Sequence, residues 1–172
     1  RDGPRGQELA SRALVLAEQH GDARGVALAH KHLGLALMVQ EKSADGLKQM
    51  QLAHDLFVKL GDRLEEAKTL GFCGMMLGHV GKLWPSIEAI GQALAIYREL
   101  GDAKGIAAAT NNLGVAFYDV GDYQQALQYN LESLGLEETL GRKRVFLNAI
   151  FGGLTLGALY FLVASGFTLI FG

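Results

Sequence analysis

GDAKGIAAATNNLGVAFYDVGDYQQALQYNLESLGLEETLG, running from Gly101 to Gly141, is the clearest copy of a unit that this chain repeats. Its opening Gly101-Asp102 recurs forty residues earlier as Gly61-Asp62 and again as Gly21-Asp22. Gly141 falls on the same grid, with Arg142 in place of the aspartate. A second series keeps step with the first: Leu33-Gly34, Cys73-Gly74 and Leu113-Gly114. A period near forty residues, with two helix-length segments in each unit, is the pattern of stacked helical hairpins. The expected fold class is all-α, a helical-hairpin solenoid over residues 1–141. It divides into a half repeat at 1–20 and repeats at 21–60, 61–100 and 101–141.

Each part of the unit has a physical reason. Glycine adopts the left-handed conformation that ends a helix, and the aspartate after it accepts hydrogen bonds from the first free amides of the next. Helices are therefore expected at 4–20, 23–40, 44–59, 63–79, 85–99, 103–119 and 123–139. Gly34, Gly74 and Gly114 fall inside helices, where glycine costs about 1 kcal/mol against alanine; a neighbouring helix crossing closely at each would account for them. Leu9, Ala13, Leu16 and Ala17 make an apolar stripe at helical spacing, so 1–20 reads as the second helix of a repeat and the chain as a segment of a longer protein. The turns within the hairpins differ in sequence: Glu41-Lys42-Ser43, Gly81-Lys82-Leu83-Trp84-Pro85 and Gly121-Asp122-Tyr123. Pro85 is expected as the first residue of its helix and Trp84 as a ring packed over the turn.

The unit resembles the tetratricopeptide repeat in its longer, roughly forty-residue form. Leu33, Cys73 and Leu113 take that family's leucine position, and Gly34, Gly74 and Gly114 its glycine. Leu37, Leu77 and Phe117 take the large residue three further on. Gly46, Ser86 and Ala126 take the small residue of the second helix, and Ala53 and Ala93 match the later alanine, where the third repeat has Ser133. His30, Leu70 and Thr110 stand where the family has an aromatic residue. The resemblance implies a concave groove lined by the first helix of each hairpin, holding a protein or peptide partner. The residues just before the Leu-Gly pairs face that groove: Lys31-His32, Gly71-Phe72 and Asn111-Asn112. Asn111 and Asn112 are the expected peptide-binding residues, because a carboxamide pairs with both backbone C=O and N–H; Lys31 and His32 are expected to contribute.

At Arg142-Lys143-Arg144 the composition changes, and from Val145 to Gly172 there is no charged residue. A spanning helix needs about 20 mostly apolar residues, so 142–172 is expected to be a basic flank followed by a C-terminal transmembrane helix. Leu147-Asn148, Gly153-Leu154-Thr155-Leu156-Gly157, Tyr160 and Gly166-Phe167-Thr168-Leu169 resemble the first transmembrane helix of the branched-chain amino-acid ABC transporter permeases. That likeness implies an N-terminal permease segment fused to the repeats. A third reading is the repeat region of a large bacterial signalling or transcriptional regulator. Basic residues flanking a span tend to stay cytoplasmic, which places the repeats in the cytoplasm, at the bacterial inner membrane.

Composition narrows the chemistry. The 172 residues carry a net charge of −2 with both signs mixed, which argues against a basic nucleic-acid surface. The lone cysteine, Cys73, sits at a helix-packing position and reads as a buried, inert thiol. No phosphate loop, dinucleotide fingerprint, nucleophile elbow or metal motif is present, and His30 and His32 diverge on a helix. Glu65-Glu66 and Glu137-Glu138 read as solvated helix faces. The expectation is a non-catalytic interaction module on a membrane helix, with no cofactor and no metal.

Overall fold

The computed structural model describes the chain from residue 3 to residue 151, with side-chain surroundings defined as far as residue 141 except at Glu137. Among the described residues there are seven helices and no strand: α1 (Gly3–Gln19), α2 (Ala23–Val39), α3 (Ser43–Leu60), α4 (Arg63–His79), α5 (Leu83–Leu100), α6 (Ala103–Asp119) and α7 (Tyr123–Phe151).

One turn geometry serves all six junctions, including the three hairpin turns whose sequences differ. A residue with positive φ comes every twenty positions: Gly21, Glu41, Gly61, Gly81, Gly101 and Gly121. The amide that follows each one reaches back five residues, as from Asp62 to the Phe57 carbonyl (3.0 Å) and from Lys42 to the Leu37 carbonyl (2.9 Å). These bonds satisfy carbonyls that the helix end leaves open. Asp22 and Asp62 then accept from Gly25 and Glu65 amides at 2.8 and 3.3 Å, and Asp122 from Gln125 at 3.1 Å. Lys42 and Lys82 at the equivalent positions make no side-chain cap. Helix α5 starts at Leu83, so Pro85 is its third residue and not its first; the missing amide still falls in the first turn, where it has no helical partner.

Glu41, at φ 62°, is the only non-glycine with positive φ among the described residues. The left-handed region costs an L-residue about 1–2 kcal/mol, partly offset by the greater chain entropy of glycine when unfolded. Glu41→Gly is therefore expected to stabilise the protein by about 1 kcal/mol. Urea unfolding followed by circular dichroism checks this, and an unchanged midpoint would count against strain at that turn.

The repeats stack by sequence order. From α1 to α6 each helix packs on its neighbour in sequence, and α2 also meets α4 while α4 meets α6. Helices α3 and α5 make no comparable contact, so the first helices of the hairpins share one face. The close crossing expected at the mid-helix glycines occurs in the first two hairpins. A Cβ on Gly34 would lie 3.0 Å from the Gly46 carbonyl oxygen, and one on Gly46 would lie 2.9 Å from that of Gly34. A Cβ on Gly74 would lie 3.0 Å from the Ser86 carbonyl oxygen and overlap the Ile90 side chain. At Gly114 the close approach is made by a side chain and not by backbone: what a Cβ meets there is the end of the Asn130 side chain, an exposed residue.

Small and large residues alternate through the interior. Ala27 and Ala53 enclose Phe57; Met50, Met76 and Cys73 fill the next layer; Ile90, Leu94, Tyr97 and Leu113 fill the last. Burial raises the Cys73 thiol to about 12, with the Asp55 charge adding to it, so it stays protonated and inert. Phe117 stacks on Tyr129 at 5.4 Å, and the Ser133 hydroxyl donates to the Ala107 carbonyl at 3.1 Å, which seats the start of α7 on α6.

Contacts divide the chain into two compact units, Arg1–Ser133 with the stacked hairpins and Leu134–Gly172. In the second, α7 continues without a break past Gly141, which keeps a helical conformation. The grid position that should close a helix does not. Among the described residues no helix is long and apolar enough to cross a membrane. The apolar run 145–172, expected as the membrane helix, lies outside the described residues from 152 onward.

Candidate functional site

The residues expected to bind a peptide lie on α2 and α6, and the structure treats them differently. Asn111 is exposed on α6 and Asn112 half-buried, and neither makes a side-chain hydrogen bond among the described residues. Asn112 lines a cleft of about 270 Å³ between α4, α5 and α6, walled by Met75, Leu83, Ile90 and Val115. His32 lines a separate apolar groove of about 800 Å³ formed by α1 and α2, beside Leu9, Ala13, Leu16 and Leu28. Asn112 and His32 therefore line different clefts, and neither Asn111 nor Lys31 lines either of the two.

Lys31 is held differently again. Its ammonium is buried and donates to Glu65 at 2.5 Å, and Lys68 reaches the other carboxylate oxygen at 2.8 Å. Glu65 is thus no solvated surface acid: its side chain is 9% exposed. Burial pushes its carboxyl up, but the bonds and charges of Lys31 and Lys68 together outweigh that and hold it below the usual carboxylate range. Neighbouring His32 is lowered by burial and by the Lys31 charge, against a smaller opposing pull from Glu65. Glu66 departs from the expectation too: its side chain is 12% exposed and accepts from Arg63 at 2.7 Å, whereas Glu138 is exposed. The side chain of Glu137 lies outside the described residues.

Trp84 also departs from expectation. It is 67% exposed, and at the following hairpin turn Tyr118 and Tyr123 meet edge to face at 5.4 Å with both rings in solvent. Pairs of opposite charge join successive hairpins at the surface, Arg24 with Asp62 at 3.0 Å and Arg98 with Glu132 at 3.3 Å, and Arg63 with Glu99 at 2.7 Å joins the two helices of one hairpin. Such pairs are worth little singly but fix register. Among the described residues no three His, Cys, Asp or Glu side chains are grouped to hold a metal ion.

Solved structures place this architecture. The TPR domain of Arabidopsis FLU superposes with a TM-score of 0.63 at 21% identity, covering 66% of this chain and 95% of that domain. BtubC (BKLC) from P. vanneervenii gives 0.71 at 18% identity, over 78% of this chain and 56% of that one. Aspartyl phosphate phosphatase F from Bacillus subtilis gives 0.72 at 15% identity, over 94% of this chain and 43% of that one. The fold is a TPR-like helical solenoid, and at these identities the likeness speaks to fold alone. No family model and no curated protein matches the chain, so the permease likeness of residues 147–172 gains no support there.

Proposed function

We propose that this chain is a non-catalytic protein-interaction module whose α2–α4–α6 face holds a peptide segment of a protein partner. Asn111 and Asn112 are its principal polar contacts, with His32, and Lys31 through its stem, toward the other end. One observation carries the reading. The first helices meet one another along a single face, and the two carboxamides of α6 have no partner of their own among the described residues. A carboxamide left free on a half-buried face supplies both a donor and an acceptor to an extended backbone. The TPR-like fold shared with the neighbours supports the same use, because stacked helical repeats create extended concave surfaces.

The remaining parts of the proposal rest on sequence. Residues 145–172 anchor the module as a membrane helix, and Arg142-Lys143-Arg144 hold the repeats on the cytoplasmic side. The likeness to a permease helix supports the anchor; transport by this chain is not part of the proposal. No nucleic-acid partner or cofactor is proposed for a chain of net charge −2 without a phosphate-binding motif.

The test is direct. Linear peptides selected from a random phage-displayed library against the full chain should bind the Asn111→Ala/Asn112→Ala variant about tenfold more weakly, since each lost hydrogen bond is worth roughly 0.5–1.5 kcal/mol. Helix content should not change. Full retention of binding by a folded double variant would move the site off this face.

A further inference from the structure

The cleft between α4, α5 and α6 contains a polar group that packing does not require. Ser86 is 2% exposed, yet it lines the cleft and its hydroxyl bonds no other group among the described residues. The oxygen faces the wall: a Cβ on Gly78, itself a cleft residue, would stand 3.5 Å from Ser86 Oγ. The other repeats hold Gly46 and Ala126 at this position, so closeness to the facing helix needs a small residue and not a hydroxyl. The sealed side-chain oxygen without a partner among the described residues is Thr110 Oγ1; the Ser86 oxygen is reached from the cleft and is available to a donor that enters it.

The groups around it define that donor. Asn112 and Asp119 lie on the rim, and neither side chain has a hydrogen bond or ion pair among the described residues. His79, also on the rim, is occupied with the Ser43 hydroxyl at 3.4 Å. Asp119 brings a negative charge, and no lysine or arginine lines the cleft. The walls, Met75, Leu83 and Val115, are apolar. A hydroxyl, a carboxamide oxygen and a carboxylate above apolar walls are matched by a long side chain with a methylene stem and a cationic head rich in donors. Arginine meets this better than lysine, because its planar guanidinium serves several acceptors at once.

We propose that this cleft is the arginine-reading subsite of the peptide groove, with Asp119, Asn112 and Ser86 receiving the guanidinium. The proposal rests on the peptide-binding reading above and adds to it the chemistry of the partner. In the same library selection, carried out on the full chain in mild nonionic detergent, wild-type binders should share an arginine beside an apolar residue. Replacing that arginine with citrulline in a synthetic, fluorescein-labelled binder should lower affinity at least about tenfold by anisotropy, the loss of a charge-assisted bond. Asp119→Lys should weaken the arginine peptide by a similar factor and favour the same peptide carrying glutamate. Ser86→Ala, a change that the Ala126 position shows to be compatible with packing, should weaken it by a few-fold with unchanged helix content. Binders without shared arginine, or arginine peptides indifferent to Asp119→Lys, would overturn this subsite while leaving peptide binding intact. Failure to select any binder would overturn both.

Discussion

Replacing Glu65 with alanine is expected to destabilise the stacked hairpins by about 3–5 kcal/mol, the usual cost of breaking a buried ion pair from one side. The Lys31 side chain is 11% exposed, and the carboxylate is its counter-charge. Without Glu65 the ammonium must lose its charge, pull into water or disturb the packing of α2 on α4. Lys68, 39% exposed, loses much less when its partner goes. The paired change Lys31→Met with Glu65→Leu should recover most of the loss, because apolar side chains of similar volume need no counter-charge. Urea unfolding of the three proteins measures this, and equal losses in the single and double variants would assign the cost to packing instead. Acid should act through the same carboxyl. Its folded value lies below its unfolded one, so its contribution is fully present above the ordinary carboxylate range near 4.3 and disappears as pH falls through the folded value. Glu65→Gln should flatten that part of the stability profile.

The second large effect is expected at Gly46. Leucine there should cost about 3 kcal/mol or more, since overpacking displaces structure that cannot yield locally. The first obstacle is the Gly34 carbonyl oxygen, 2.9 Å from a modest Cβ, with the Leu37 Cβ and Met76 Sδ each at 3.4 Å. Backbone oxygen of a helix does not swing aside. Gly114→Leu should cost markedly less, because the atoms in its way belong to the exposed Asn130 side chain. Thermal unfolding of the two variants gives the comparison directly. If they melt alike, the difference between a backbone neighbour and a side-chain neighbour is not what sets the cost.

Both effects bear on how far the sequence could be read. Helix limits were legible within a residue or two wherever Gly-Asp or a matching turn punctuated the chain, since capping is local chemistry. The shared turn was hidden at Glu41, because a glutamate with positive φ leaves no mark in sequence. Gly34, Gly74 and Gly114 look alike on the grid, but the residues opposite them, Met50, Ile90 and Asn130, differ in size and polarity. Glu65 read as a surface acid because its main partner lies 34 residues away on another hairpin. Trp84 read as a packed ring because bulk favours burial, while the fold offers it no cover. Of the expected site, the repeat places Asn111 and Asn112 on α6, while only Asn112 lines the cleft beside it. The commitment of Lys31 to Glu65 and the free hydroxyl of Ser86 depend on side-chain directions that no motif encodes.

The order in which helices meet has a kinetic consequence. From α1 to α6, every large packing surface joins helices adjacent in the chain. Native pairings therefore enclose short stretches of polypeptide, and the contact order is low. Forming one hairpin requires no distant segment to have found its place, which favours rapid folding from any of several starting points. The same locality limits cooperativity, since a disturbance at one hairpin reaches another only through the interfaces between them. Hydrogen exchange should then report a gradient of protection along the array, graded by the quality of each interface.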